Sequence, residues 1–220
     1  MRAWSGLVAA LAVLIAGGAG AATVRTLTAG ELAARSELIF IGTVTAQRSR
    51  LETQPVRVWT DTTFRVEQVV KGDKLDHEWR LTQLGGVVGE GADRIGQDVP
   101  GYARFAVGER VFLFLERTST GRLVPTGLAQ GKYVLIDDAK SGVTMAARDL
   151  RGLHLLGAMP DKRVAGMPRD WNQLPLADLL AIARGERPGP TPLHVVRRPA
   201  PPVEDVQTPQ VVLPGAEGAR

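Results

Sequence analysis

Gly108-Glu109-Arg110-Val111-Phe112-Leu113-Phe114-Leu115-Glu116 is the densest apolar run in the chain beyond its first 21 residues. Five large side chains, Val111 to Leu115, follow one another without a polar break. Such a run fits a strand buried on both faces, and a buried helix looks the same by periodicity alone. Its brevity, its two phenylalanines and the flanking Gly108 and Gly121 decide for a strand. Each of the five side chains contributes about 1.5–3 kcal/mol when fully buried. The run therefore predicts the central strand of a β-barrel or sandwich.

Working outward, residues 38–46 read as a first strand, with Gly42 marking a bend or a close backbone approach. Residues 48–56 are a polar connection containing Pro55. Residues 57–71 form a long second strand with Thr62, Phe64, Val66 and Val70 on one face and Thr63, Arg65, Glu67 and Lys71 on the other. That period of two belongs to a sheet with one wet face. Residues 78–84 are a third strand, and the apolar run is the fourth. Residues 122–126 and 130–136 complete a five-stranded β-meander, which predicts a β-barrel over residues 38–138. Between the third and fourth strands, residues 85–104 form a long loop with six glycines. A loop of that length is often functional.

Two helices flank the strands. Thr28-Ala29-Gly30-Glu31 has the form of a capping box and opens a short helix in residues 22–37. Residues 175–184 form a second helix: Pro175 sits at its first turn, Leu176, Leu179, Leu180 and Ala183 share a face, and Gly185 follows. A helix this short is marginal alone, so that face is expected to pack on the barrel. Residues 143–156 read as irregular, with Met145-Ala146-Ala147 leaning helical and Gly152 interrupting. Residues 187–220 hold eight of the chain's 14 prolines and read as a disordered, Pro-rich tail.

Residues 1–21 have the form of a secretory signal peptide. Arg2 is the positive end, residues 7–16 are apolar, and Ala19-Gly20-Ala21 is the cleavage signal, so the cut falls between Ala21 and Ala22. The apolar run is short of the ~20 residues that span a bilayer, so no stable membrane anchor is expected. The mature protein is expected to be secreted or periplasmic. The chain has no cysteine, which excludes disulfides, a thiolate nucleophile and a Cys-ligated metal. The net charge of +4 is spread over 27 basic and 23 acidic residues with no basic block, so nucleic acid is not an expected partner.

Chemistry-bearing patterns are sparse. There is no G-x-S-x-G elbow and no S-x-x-K. His77, His154 and His194 are far apart in sequence and form no H-E-x-x-H. The glycine loop lacks the Lys-Ser/Thr ending of a phosphate-binding loop, and Glu90, Asp93 and Asp98 lack calcium-loop spacing. The neighbours Asp137 and Asp138 face opposite ways on a strand and suit a turn better than acid–base work. No catalytic, cofactor or metal residue is assigned, and no enzyme is expected. What remains is a surface of aromatics beside arginines: Arg57 and Trp59 before the second strand's core, and Tyr102 and Arg104 closing the glycine loop. Aromatic–arginine pairs are enriched in recognition surfaces.

The series Phe64-x-Val66-x-x-Val69-Val70-Lys71-Gly72, Gly85-Gly86, Val107-Gly108-Glu109-Arg110-Val111-Phe112-Leu113-Phe114-Leu115 and Gln130-Gly131-Lys132-Tyr133 resembles a group of exported bacterial proteins. That group looks like the netrin-like, or tissue-inhibitor-of-metalloproteinases-like, OB-fold. The resemblance covers residues 36–136 and implies a five-stranded OB-like barrel. Inhibitors of that type chelate a protease zinc through an N-terminal cysteine, and the expected mature end here is Ala22-Thr23, so no inhibitory residue carries over. The sequence thus predicts an exported, non-catalytic binding module for another exported protein or an envelope polymer. The alternative is a protease inhibitor or companion acting through residues 85–104.

Overall fold

In the computed structural model, which describes residues 21–139, 141–157 and 172–186, the protein is mainly β. The elements in chain order are β1 (Ala22–Arg25), α1 (Ala29–Arg35), β2 (Leu38–Thr53), β3 (Val56–Lys71), β4 (Glu78–Leu84), β5 (Gly86–Val88), β6 (Ile95–Gln97), β7 (Arg110–Arg117), β8 (Leu123–Pro125), β9 (Lys132–Asp137), β10 (Thr144–Arg148), β11 (Leu153–Leu156), β12 (Gln173–Pro175) and α2 (Leu176–Ala183). The large antiparallel sheet runs β12-β10-β9-β7-β2-β3-β4, with β8 also paired to β7. β1 pairs in parallel with β11, and β5 pairs with β6.

The apolar run is β7, and all five of its large side chains are at 0% exposure. Alternation divides them between two cores. Val111, Leu113 and Leu115 join Leu38, Phe40, Val44, Phe64 and Leu81. There Phe40 and Phe64 meet edge to face at 5.6 Å, and Phe64 and Phe105 at 5.3 Å. Phe112 and Phe114 face the other way, onto Ile39, Ile41, Tyr133 and Leu135 of the sheet and onto both helices. Leu32 and Ala33 of α1 and Leu179 and Ala183 of α2 cover this second core. The α1 capping box is closed: Glu31 N donates to Thr28 Oγ1 at 3.2 Å and Thr28 N to Glu31 Oε2 at 2.8 Å.

The expected five-stranded closed barrel is replaced by an open sheet. β7 is not the next strand of a meander after β4. It returns beside β2, giving the order β7-β2-β3-β4, which is a Greek key. The chain then leads through β9 away to β10 and β12 instead of back to β4. On the same edge of β7 as β9, β8 has only three residues and ends at Pro125, which has no N–H to donate across a seam. Gly42 provides both a bulge and a close approach: the register shifts at Ile41/Gly42, and a Cβ there would lie 2.8 Å from the Arg65 carbonyl oxygen.

Other stretches also differ from expectation. The polar connection over residues 48–56 is mostly strand, because β2 and β3 stay paired to Thr53↔Val56 and turn only at Gln54-Pro55. Residues 85–104 contain the β5–β6 hairpin. Residues 143–156, read as irregular, hold β10 and β11. Met145-Ala146-Ala147 favours helix locally, but β10 pairs with both β9 and β12, and the sheet's pairing outweighs that weak preference. β1 gave no sequence signal of its own; each of its residues pairs with one 131 positions further along the chain, from Ala22 opposite Leu153 to Arg25 opposite Leu156. Residues 1–20 of the expected signal peptide (1–21), and the expected Pro-rich tail over residues 187–220, lie outside the described residues.

The motif Gln130-Gly131-Lys132-Tyr133 serves the fold. Fully buried Gln130 accepts from Leu27 N at 2.8 Å and donates to the Arg25 and Gly127 carbonyls at 3.0 and 3.2 Å. It thereby fastens the segment between β1 and α1. Lys132, 5% exposed, reaches Glu109 Oε2 at 2.5 Å and the Arg104 carbonyl, and lies 4.7 Å from the Phe105 ring centre. Tyr133 sits in the helix-covered core, 5.1 Å beneath the Arg148 guanidinium. Burial raises the Tyr133 phenol above its ordinary value, and burial lowers the Arg148 guanidinium.

Candidate functional site: a cleft at the open side of the sheet

β4 ends the sheet on one side, and β8 stands across from it. Between them is a cleft of about 260 Å³ bounded by Leu84 and Thr82 of β4, Val124 and Pro125 of β8, and Tyr102, Leu128 and Trp59. A second concavity of about 420 Å³ continues from it past Trp59, between Arg50, Glu52 and Arg57 on the β2–β3 hairpin and Thr120 and Arg122 on the β7–β8 turn. Trp59, Thr120 and Arg122 belong to both.

Strand register explains the convergence. Arg50 is opposite Trp59, Glu52 is opposite Arg57, and Trp59 is opposite Leu84. Alternation keeps these side chains on one face of the three strands. The other face of the hairpin carries Ser49 and Thr60, where the glycine-rich segment docks. A Cβ on Gly86, at φ +128°, would fall 2.1 Å from Thr60 Oγ1 and 2.7 Å from Ser49 Oγ. Gly85 N donates to the Val58 carbonyl at 2.7 Å, and Val58 N donates to Gln97 Oε1 at 2.7 Å. The segment expected to be a long loop is thus bonded along the end of β3. It braces the hairpin that forms one wall of the cleft.

Trp59 is fixed from two directions. Its indole N–H donates to Glu52 Oε2 at 2.6 Å, and the Arg122 guanidinium lies 4.9 Å from its ring centre. Arg50 stands 3.8 Å from Asp61, whose other oxygen accepts from Thr82 Oγ1 at 2.6 Å. Among the described residues, neither Arg57 nor Arg122 is in an ion pair with a carboxylate. One end of the cleft is therefore apolar and aromatic, and the other is rich in guanidinium groups.

Of the residues singled out from sequence, Trp59 and Tyr102 line the same cleft and Arg57 lines the adjoining concavity. Arg104 goes elsewhere: its guanidinium is exposed and pairs with Asp98 at 2.9 Å. Ala22, at the expected cleavage point, begins β1, with its N–H 3.1 Å from the Gly152 carbonyl. Sequence reading missed Arg50, Glu52, Leu84 and Arg122. Only the cross-strand register and the turn opposite reveal them, and neither is written in local periodicity.

Chemistry of other kinds finds no geometry here. His77 and His154 are exposed, the first between β3 and β4 and the second on β11. Among the described residues no three His, Asp or Glu side chains converge as a metal site. Asp137 and Asp138 each take a hydroxyl across the turn, from Thr144 at 2.6 Å and Ser141 at 2.6 Å. No described helix is long and apolar enough to cross a membrane. Comparison of the chain with protein-family models, with curated proteins and with solved structures gave no match.

Proposed function

We propose that this chain is an exported, non-catalytic binding module that engages another exported protein or an envelope polymer through the Trp59 cleft. The observation that carries the reading is the clamped indole at the open seam: an aromatic surface immobilised by Glu52 and Arg122, next to guanidinium groups without carboxylate partners. Buried aromatics and arginines dominate recognition energetics. We also propose that β2, β3, β4, β7 and β8 form an unclosed OB-like barrel of the netrin-like kind. The Greek-key order and the core that β2, β3, β4 and β7 share support that reading. In small barrels of this type ligands bind on the strand face and its flanking loops, where the cleft lies.

The test is affinity capture from envelope extract with the wild-type chain and with Trp59→Ala and Arg122→Glu variants. A component kept by the wild type and lost by both variants supports the module. Equal recovery by all three, or reproducible turnover of a substrate, overturns it. One observation favours a second reading, a protease inhibitor or companion acting through residues 85–104. The β5–β6 hairpin leaves Val87 39% and Ile95 41% exposed, as an inserted loop would require. Replacing residues 87–96 with a short glycine link would abolish inhibition if this reading holds.

A further inference from the structure

We propose that the cleft receives an extended peptide segment that carries an acidic side chain two residues from a large apolar one. The inference rests on the binding-module reading and adds the class of partner. Three features of the seam lead to it.

The first is the edge. β4 is the last strand on its side of the sheet, so one row of its N–H and C=O groups has no strand partner. No backbone hydrogen bond joins residues 78–84 to a described segment on that side. An added strand satisfies such an edge, giving affinity through the main chain and specificity through alternate side chains. β8 approaches this edge but forms no ladder with it, being three residues long and ending in Pro125, which has no N–H to donate.

The second is the trough. Leu84, Tyr102, Val124, Pro125 and Leu128 surround the inner part of the cleft, which at about 260 Å³ admits one large apolar side chain and its neighbours on the strand. The third is the charge. Arg57 is two residues from Trp59 on the same face of β3, and Trp59 is level with Leu84. Same-face positions two apart on a strand are separated by about 6.5–7 Å. A peptide lying along β4 with an apolar residue in the trough therefore presents its next same-face residue to Arg57 and Arg122. Both guanidinium groups are free of carboxylates among the described residues, and a carboxylate there gains a charge-assisted bond. Glu52 keeps its negative charge in this concavity, but the three guanidinium groups of Arg50, Arg57 and Arg122 outnumber it there.

The experiment is selection of a random ten-residue peptide library on the immobilised full chain, in parallel with an Arg57→Glu/Arg122→Glu variant. Wild type is expected to enrich peptides with Asp or Glu two positions from Leu, Ile, Phe or Trp. The variant is expected to favour Lys or Arg at that position and to bind a wild-type-selected peptide about tenfold more weakly or worse. Both arginines are exposed, so the variant should melt with the wild type. If it does not, Arg57→Gln/Arg122→Gln is read for loss of the acidic preference. No acidic enrichment on the wild type, or the same preference in the variants, overturns the inference. Retention of polygalacturonate by the wild type with no peptide enrichment also overturns it, yet leaves a polymer-binding module standing. Loss of both reading and inference would need the envelope capture to fail as well.

Discussion

Replacing Gln130 by Met tests whether one buried amide holds the N-terminal segment on the domain. The side chains are similar in volume, so the change deletes polar contacts without opening a cavity. Three backbone groups lose their partner: Leu27 N–H at 2.8 Å, the Arg25 carbonyl at 3.0 Å and the Gly127 carbonyl at 3.2 Å. Leu27 is 1% exposed and Gln130 is 0% exposed, so water cannot replace the first contact. An orphaned buried donor costs about 1–3 kcal/mol, and each of the two partly buried carbonyls loses about 0.5–1 kcal/mol. The total is about 3 kcal/mol, a large share of a typical 5–15 kcal/mol domain stability. For a domain of this size it lowers the melting temperature by about 6–12 °C. The complementary readout is hydrogen exchange at the Leu27 amide, which should lose protection more than the amides of β7. A melting temperature within about 1 °C of wild type, with Leu27 still protected, would refute the clamp. In that case the Leu27 side chain in the core and the Arg148 bond to the Leu27 carbonyl at 3.0 Å suffice.

Leu113→Asp places a charge at a 0% exposed position among Leu38, Phe40 and Leu115 and should cost more than about 4 kcal/mol, read as loss of the cooperative urea transition; a preserved midpoint would remove β7 from the centre of the fold. Gly86→Ala combines a positive φ of +128° with a Cβ 2.1 Å from Thr60 Oγ1, and should cost about 1–3 kcal/mol while speeding tryptic cleavage at Arg94; unchanged cleavage would mean the β5–β6 hairpin is not seated by that contact. The Glu31 carboxyl is held below its ordinary 4.5 by the Thr28 backbone N–H, then by the Thr28 hydroxyl and Arg25. A depressed folded value stabilises above 4.5 and fades as pH falls below it. Glu31→Gln should therefore narrow the gap between melting temperatures measured at neutral and at acid pH, and an unchanged gap would argue against the capping box as a source of acid sensitivity.

Elements whose reason is local were readable from sequence. The Thr28-to-Glu31 box needs four consecutive residues, and the α2 stripe needs one face of one helix. The Val111-to-Leu115 run announced burial on both faces because no polar residue interrupts it. Elements whose reason is a distant partner were not readable. β1 exists through β11, and β10 is a strand because β9 and β12 bond to it in spite of its alanines. The glycine-rich segment read as a free loop because a missing side chain looks the same in sequence whether it permits motion or tight docking. Gly86 docks: it lets a backbone lie against the hydroxyls of Ser49 and Thr60.

The same division explains the cleft. Trp59 and Tyr102 are large aromatics in polar surroundings, and that alone marked them. Arg122 carries no such mark in an ordinary polar turn, yet the turn brings its guanidinium over the Trp59 ring. Arg104 has the better sequence context beside Tyr102, but strand-to-loop geometry directs it to Asp98. The site is assembled where the sheet stops short of closing: one wall is the last strand of the Greek key, and the other is a three-residue strand ended by Pro125. Had β8 been longer and free to donate, β4 and β8 could have bonded and the trough would have been filled by the sheet's own backbone. An unclosed seam exposes hydrogen-bonding groups, and proteins normally blunt or cover such edges. Here the edge is flanked by a fixed indole and by guanidinium groups, so the structural shortfall and the proposed recognition surface are the same feature.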